Sequence, residues 1–386
     1  MMKAFKVMLV PNNRQRTRLF QFAGAARFAY NWALQKEREA YAAGEKFIGS
    51  NELRKEFTVL RNSDQYSWLK TISNNVTKQA VKDCVDAYTK FFKKKSRRPR
   101  YRSKKRGNYS FYQDTAKIQI TSTHVKLEAL ATSKRRNRQS LNWIRLSERD
   151  RIPVGVKYFQ PRITFDGLNW WLSVAVEFKP ENISTPSGDA LGIDLGIKNL
   201  AVCSDGTVYP NINKTKKIKK LKQRKRRLQR SISRKYEMSK KKGEGYSKTR
   251  NIIKGERKLL RIHHRLANIR QNYRHQITRA IIGRNPSAIV LEDLNVRGMM
   301  SNRHLSKAVQ EQGFYEIRRQ IEYKAEWFGI TVIIADRFYA SSKTCISCGH
   351  VKKNLRLSER IYHCEVCGNE IDRDLQAAIN LKRYAS

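Results

Sequence analysis

The chain has 386 residues, 40% hydrophobic and 30% charged, which excludes an intrinsically disordered chain and suffices for two or three domains with their own cores. Lys and Arg number 81 against 33 Asp and Glu, a formal net charge of +48. Such an excess repels itself unless a polyanion neutralises it, and phosphate neutralisation makes nucleic acid the expected partner.

Met1–Val10 is too short and too charged for a secretory signal, so the six cysteines are expected in a reducing compartment, the cytoplasm. No apolar run approaches a membrane span, and no membrane partner is expected. Residues 3–10 read as a strand stopped by Pro11. Residues 14–43 and 50–62 read as helices, and a third helix is predicted over about 70–92. Its apolar stripe is Ile72, Val76, Ala80, Cys84, Tyr88 and Phe91. Asn75, Lys78, Gln79 and Lys82 lie on another face. A solvated face is the plainer alternative, but amides can read adenine edges and Lys guanine, so these four are expected to touch nucleic acid.

Residues 93–106 hold ten Lys or Arg, broken by Pro99 and Tyr101, and mark a domain junction with a phosphate-contact strip. Short strands are then predicted at 117–120, 124–127, 143–146, 156–159, 162–165 and 170–178. Asp166-Gly167-Leu168-Asn169 turns the last two into a hairpin. Together with the N-terminal strand they are expected to form a small β-barrel. Residues 180–189 read as a linker.

The last domain is expected to begin near Ala190, with strands at 191–195 and 200–204. Residues 211–275 carry 25 Lys or Arg and three Glu. Two helices, roughly 214–240 and 249–282, fill this region, separated by Lys242-Gly243-Glu244-Gly245. Arg224, Lys225, Arg226 and Arg227 form one dense cluster with Arg230 about a turn on, and are expected to hold phosphates. A strand at 287–291, a helix at 309–328, a strand at 330–335 and a helix at 373–384 complete the chain.

Two pairs, Cys345-Ile346-Ser347-Cys348 and Cys364-Glu365-Val366-Cys367, stand fifteen residues apart. This spacing builds a closed tetrahedral four-cysteine site for one structural zinc. Cys84 and Cys203 read as ordinary buried cysteines. Three acids stand out: Asp194 in Leu191-Gly192-Ile193-Asp194, Glu292 ending an apolar run, and Asp374 opening the last helix. Acids at the ends of apolar strands are costly without a partner, and oxygen ligands suit Mg²⁺ or Mn²⁺. Taken singly, a turn cap, a strand-end salt bridge or a helix N-terminal charge explains each equally well. Together, in the order strand–hairpin–basic helices–strand–helix–strand–knuckle–helix, they resemble the RuvC branch of the RNase H fold.

Gly192–Val202 resembles the first RuvC motif of the TnpB (OrfB) proteins of small insertion sequences, and Leu291–Met299 the second. The cysteine pairs with Asp372–Leu381 resemble their zinc insert and third motif. Leu9–Gln15 and Arg27–Trp32 fit as well. The resemblance implies an α/β protein with a β-barrel. Residues 1–10 and 107–185 would form the wedge-like barrel and 11–106 a helical recognition domain. Residues 186–342 with 371–386 would form the RuvC-like nuclease, and 343–370 a zinc-ribbon insert. It further implies an RNA-guided DNA endonuclease of a transposon, related to compact type V CRISPR effectors, with a transposon-end guide RNA and double-stranded target DNA as partners. Asp194, Glu292 and Asp374 would bind two catalytic Mg²⁺ or Mn²⁺ ions, with Asp374 preferred to Asp372 and Glu292 to Asp293. Gln376 stands where the family commonly has Asn. The competing expectations are a RuvC-like transposase or resolvase acting without guide RNA and a non-enzymatic zinc-ribbon binding protein.

Overall fold

The computed structural model describes the chain apart from residues 105–106, 108, 132–139, 179–184, 242–247, 357 and 386. Part of the predicted linker and the predicted glycine break between the basic helices therefore lie outside the described residues. The chain divides into two compact units, Met1–Lys179 and Pro180–Ser386.

The first unit begins with β1 (Met2–Val10) and α1 (Asn13–Ala42). Asn12 caps α1 reciprocally with Gln15, so Pro11 ends the strand and the next residues start the helix. α2 (Ser50–Asn62) follows, then a 3₁₀ segment, Asp64–Thr71, then α3 (Asn74–Phe92). The third helix thus starts four residues later than expected.

The strands are β2 (Tyr109–Tyr112), β3 (Gln119–Ile120), β4 (His124–Lys126), β5 (Trp143–Leu146), β6 (Tyr158–Phe165) and β7 (Trp170–Glu177). They form one seven-stranded sheet in the order β2-β6-β7-β1-β5-β4-β3. The N-terminal strand is central, antiparallel to β7 along most of its length and to β5 at its end. The two strands predicted at 156–159 and 162–165 are one strand. Its register shifts between Phe159 and Arg162, where Gln160 adopts φ 46° before Pro161.

In β7, Trp170, Leu172, Val174 and Val176 face inward in strict alternation. Phe20 of α1 meets the Trp170 ring edge-on at 5.0 Å, and Arg162 of β6 grips Asp83 of α3 through two hydrogen bonds of 2.7 and 2.8 Å. Helices and sheet therefore share one apolar core, with Cys84 fully buried in it.

The second unit carries β8 (Leu191–Asp194), β9 (Asn199–Cys203) and β10 (Val208–Pro210), an antiparallel meander. Two long helices follow, α4 (Lys216–Lys241) and α5 (Arg250–Ile282). Then come β11 (Ala288–Glu292), α6 (Val296–Ser301), α7 (Ser306–Gln312), α8 (Phe314–Trp327) and β12 (Thr331–Ala335). A hairpin of β13 (Ile361–His363) and β14 (Glu370–Asp372) precedes α9 (Arg373–Arg383).

The main sheet has the order β10-β9-β8-β11-β12, with β8, β11 and β12 parallel. The single helix expected over 309–328 is two, because Gly313 takes the left-handed conformation (φ 70°) that ends α7 and starts α8. Helices α4 and α5 touch through a thin spine, Ile218, Leu221, Ile262 and Leu266. Gly255 lets Ile232 approach to 3.0 Å of where a Cβ would stand. The exposed side chains of α4 are largely Lys and Arg.

Candidate active site and metal centre

Register brings the first two acids together. Gly192 pairs with Val290 and Ile193 with Leu291 across the parallel β8–β11 ladder, so Asp194 and Glu292 end adjacent strands side by side. Close packing brings the third. A Cβ on Gly192 would meet the Ala378 carbonyl at 2.0 Å and the Lys382 nitrogen at 2.4 Å, so only glycine lets α9 lie directly on β8. Asp374 stands one turn before Ala378 on that helix.

The electrostatics record the convergence. Burial first, then the negative charges of Glu292, Asp374 and Asp372, push the Asp194 carboxyl well above its ordinary range, while Arg373 acts in the opposite direction. A buried carboxyl crowded by two other acids is what a divalent cation would neutralise, and the donor set is all oxygen.

The neighbouring acids are differently engaged. Asp372 Oδ1 accepts the backbone N–H groups of Asp374 (2.9 Å) and Leu375 (3.1 Å) and so caps α9. Asp293 is bound by Arg318 at 3.1 Å and by Arg337. Asp374 has Arg360 at 3.8 Å.

Sequence reasoning missed Ser341, a buried residue whose hydroxyl donates to Glu292 Oε1. It also missed what holds Ser341. Asn380 Nδ2 donates to the carbonyls of Ser341 and Thr344, both at 2.7 Å, and Gln376 Nε2 to that of Ser342 at 3.3 Å. These two fully buried amides on α9 fasten the loop that leads into the first cysteine pair. Their spacing of four on the face opposite to solvent was the available signal.

The four cysteine sulfurs lie within 4.8 Å of one another and are the one such group of His, Cys, Asp or Glu among the described residues. Cys345 and Cys367 sulfurs are 3.6 Å apart, and Cys348 and Cys364 3.5 Å. Tetrahedral zinc with Zn–S bonds of about 2.3 Å needs sulfurs about 3.8 Å apart, so the set fits the ion. Gly349 and Gly368, at φ 73° and 71°, close the two knuckles. Cys84 and Cys203 are buried apart from the cluster.

The predicted nucleic-acid contacts are mixed. Arg224, Arg226, Arg227 and Arg230 are exposed along α4, and Lys225 is half-buried. On α3, Lys82 is exposed and Lys78 half-buried, but the two amides are occupied within the chain. Asn75 donates to Asp114, and Gln79 to Asp83 at 3.1 Å.

Three family models match, described as a helix-turn-helix domain over residues 1–46, a probable transposase over 173–303 and a Cas12f1-like TNB domain over 314–381. The first covers β1 and α1 here. The chain is 30% identical to the putative RNA-guided DNA endonuclease InsQ of Escherichia coli K12, across 98% of this chain and 91% of that protein. It belongs to the TnpB (OrfB) family. A putative RNA-guided DNA endonuclease of Streptomyces pristinaespiralis is 28% identical across 98% of this chain and 88% of the relative. The endodeoxyribonuclease Cas12f1 of Sulfoacidibacillus thermotolerans is 28% identical over 55% of this chain and 49% of its own. Among solved structures, a Cas12f1–sgRNA–target DNA complex shares the fold, with a TM-score of 0.59 at 14% identity, covering 99% of this chain and 98% of that one.

Proposed function

We infer that this TnpB-family protein is an RNA-guided DNA endonuclease of a mobile element, with guide RNA and double-stranded DNA as partners. Family membership over nearly the whole chain supports the activity. The observation that carries the site is the meeting of Asp194, Glu292 and Asp374 where β8, β11 and α9 come together. We read the five-stranded sheet with α9 as the RuvC form of the RNase H fold, over residues 186–342 and 371–386. The seven-stranded sheet (1–10 and 107–185) is read as the wedge-like barrel, 11–106 as the recognition domain and 343–370 as a zinc ribbon. Among the described residues no helix is long and apolar enough to cross a membrane.

Guide–target base pairing supplies sequence specificity. The three carboxylates hold two Mg²⁺ or Mn²⁺ ions, whose chemistry when bound is activation of water and stabilisation of the leaving oxygen. Ser341 fixes the Glu292 carboxylate, and Asp372 fixes the start of α9 that carries Asp374. The four cysteines hold one zinc that stiffens the segment before α9. Arg224, Lys225, Arg226, Arg227 and Arg230 take phosphates. On α3, Lys78 and Lys82 are the free candidates for contacts beside the target, while Asn75 and Gln79 would first have to leave their carboxylate partners.

The test is to purify the protein from cells carrying its own locus, sequence the bound RNA and supply plasmid DNA matching the RNA's guide end. Mg²⁺-dependent cleavage of that plasmid alone is expected. Equal cleavage after RNase treatment would replace the reading with a guide-free nuclease, and binding without cleavage with a zinc-ribbon binding protein.

A further inference from the structure

A cavity of about 240 Å³ opens in the second unit where β11 ends and α8 begins. Its floor is apolar, with Leu195 and Phe314 both buried. Glu292 forms one wall. Whatever fills the cavity therefore lies next to a carboxylate of the three-acid cluster.

Local sequence builds the other walls. Gly313 takes the left-handed conformation from which α8 starts. Phe314 then turns into the core at 1% exposure, while Tyr315 stays 67% exposed at the cavity. Arg318 stands three residues on from Tyr315 and shares its face of the helix. Arg337 follows β12, whose Ala335 pairs with Glu292. Both guanidinium groups are tied to Asp293: Arg318 donates to its Oδ1 at 3.1 Å and Arg337 to its Oδ2. Arg318 also donates to Glu322 at 2.8 Å. Arg297 of α6, likewise on the wall, is exposed and has no ion-pair partner among the described residues.

An exposed ring, an apolar floor and a cation without a carboxylate are the parts that hold a nucleotide, the base on the ring and the phosphate on the cation. We propose that this cavity seats one nucleotide of the DNA strand being cut, the neighbour of the scissile phosphate, with its base stacked on Tyr315 and its outer phosphate on Arg297. The proposal rests on the nuclease reading of the three acids. Attack at phosphorus requires the phosphate beside Glu292 to be held still. A seat for the adjacent base does so without reading its identity, because every base has a flat face. Asp293, next to Glu292 in the chain, fixes Arg318 and Arg337 as the sides of the seat.

The test uses the full-length protein with its guide RNA, in excess over a matching linear duplex so that each duplex is cut once. Products from the unmodified complex map the cut positions. Tyr315→Ala is expected to slow cleavage about tenfold, as the loss of one base–aromatic stack allows, with guide-RNA affinity unchanged. Tyr315→Phe should keep the rate, since the ring and not the hydroxyl is used, whereas Tyr315→Leu should stay slow. A second set of duplexes lacks one base of the cut strand, on either side of the mapped cut in turn. On one side the missing base should slow the unmodified complex about tenfold, and there Tyr315→Ala should add nothing, because ring and base act as a pair. A merely structural tyrosine would give the same fold loss on intact and base-lacking DNA. Arg297→Gln should slow cleavage of both kinds of duplex alike, because it holds a phosphate and not the base. Unchanged cleavage by Tyr315→Ala overturns the proposal, as does an equal loss on intact and base-lacking DNA at both positions. No cleavage by the unmodified complex overturns the nuclease reading, and the seat with it.

Discussion

The two clusters of candidate metal ligands in the second unit are assembled by opposite means. The cysteine cluster is local: its four sulfurs come from positions 345–367, and two short knuckles with left-handed glycines aim them at one point. The carboxylate cluster comes from positions 194, 292 and 374, and nothing local joins them. A parallel ladder aligns two, and the absence of a Cβ at Gly192 admits the third. The first can therefore form wherever its segment folds, whereas the second exists only if the whole sheet and α9 are correctly packed. Asp194 in the carboxylate set is also held back from ionising by burial and by the charges of Glu292 and Asp374.

That contrast can be broken most sharply at the acids themselves. Asp194→Ala or Glu292→Ala is expected to abolish guided plasmid cleavage while guide-RNA affinity stays within about twofold, because no phosphate-contacting cation is removed. Retained cleavage in either variant would remove that carboxylate from the catalytic set. Next in size, Gly192→Ala should separate α9 from β8. Overpacking of this kind costs about 1–3 kcal/mol, and cleavage should fall with it. Zinc content, read by elemental analysis, should remain near one per chain. Cys348→Ser should give the converse order, with zinc lost first and stability and cleavage following. If Gly192→Ala also empties the zinc site, the two clusters are not built independently.

A carboxyl with no such cluster around it serves as the contrast. Glu37 is raised to about 7 from an ordinary 4.5 mainly by burial. Its protonated form is the one the fold favours, so its contribution to stability is fully present below pH 4.5. That contribution is lost as the pH rises through 7. Glu37→Gln should remove that component from urea unfolding curves compared at pH 5 and pH 8. An unchanged pH slope would mean the carboxyl is solvated.

The smallest effect is expected at Asp372. Losing its cap on α9 should cost about 1 kcal/mol in an unfolding measurement, with much of the cleavage kept. Loss of cleavage in Asp372→Ala, with activity retained in Asp374→Ala, would exchange the two acids.

Much of this was readable in the chain before any fold was considered. The strand at 170–178 after its Asp166–Asn169 turn, the stop at Pro11 before a long helix, and the cysteine spacing are short-range patterns, and each is matched by the element found there. The strand at 143–146 appears with its expected bounds. Where a neighbouring residue changed the backbone, pattern alone failed. Gly313 divides a helix whose apolar period continues across it, and Gln160 with Pro161 bends one strand that reads as two. The amides of Asn75 and Gln79 looked free in a helical projection because their partners, Asp114 and Asp83, could not be paired with them from spacing.

Residue chemistry along the sequence determined which side chains could bind metal and phosphate: four thiolates at knuckle spacing, acids ending apolar strands, and a +22 stretch over 211–275. Only the tertiary structure decided the central place of β1 in its sheet, the Ser341 hydroxyl on Glu292, the amides that fasten its loop, and the burial of a Glu37 carboxyl oxygen with no hydrogen-bond partner among the described residues. The reason is physical. Spacing within a turn or a strand sets local geometry, but strand order, close helix approach and the partner of a buried polar group depend on residues far away in the chain that share the same few ångströms.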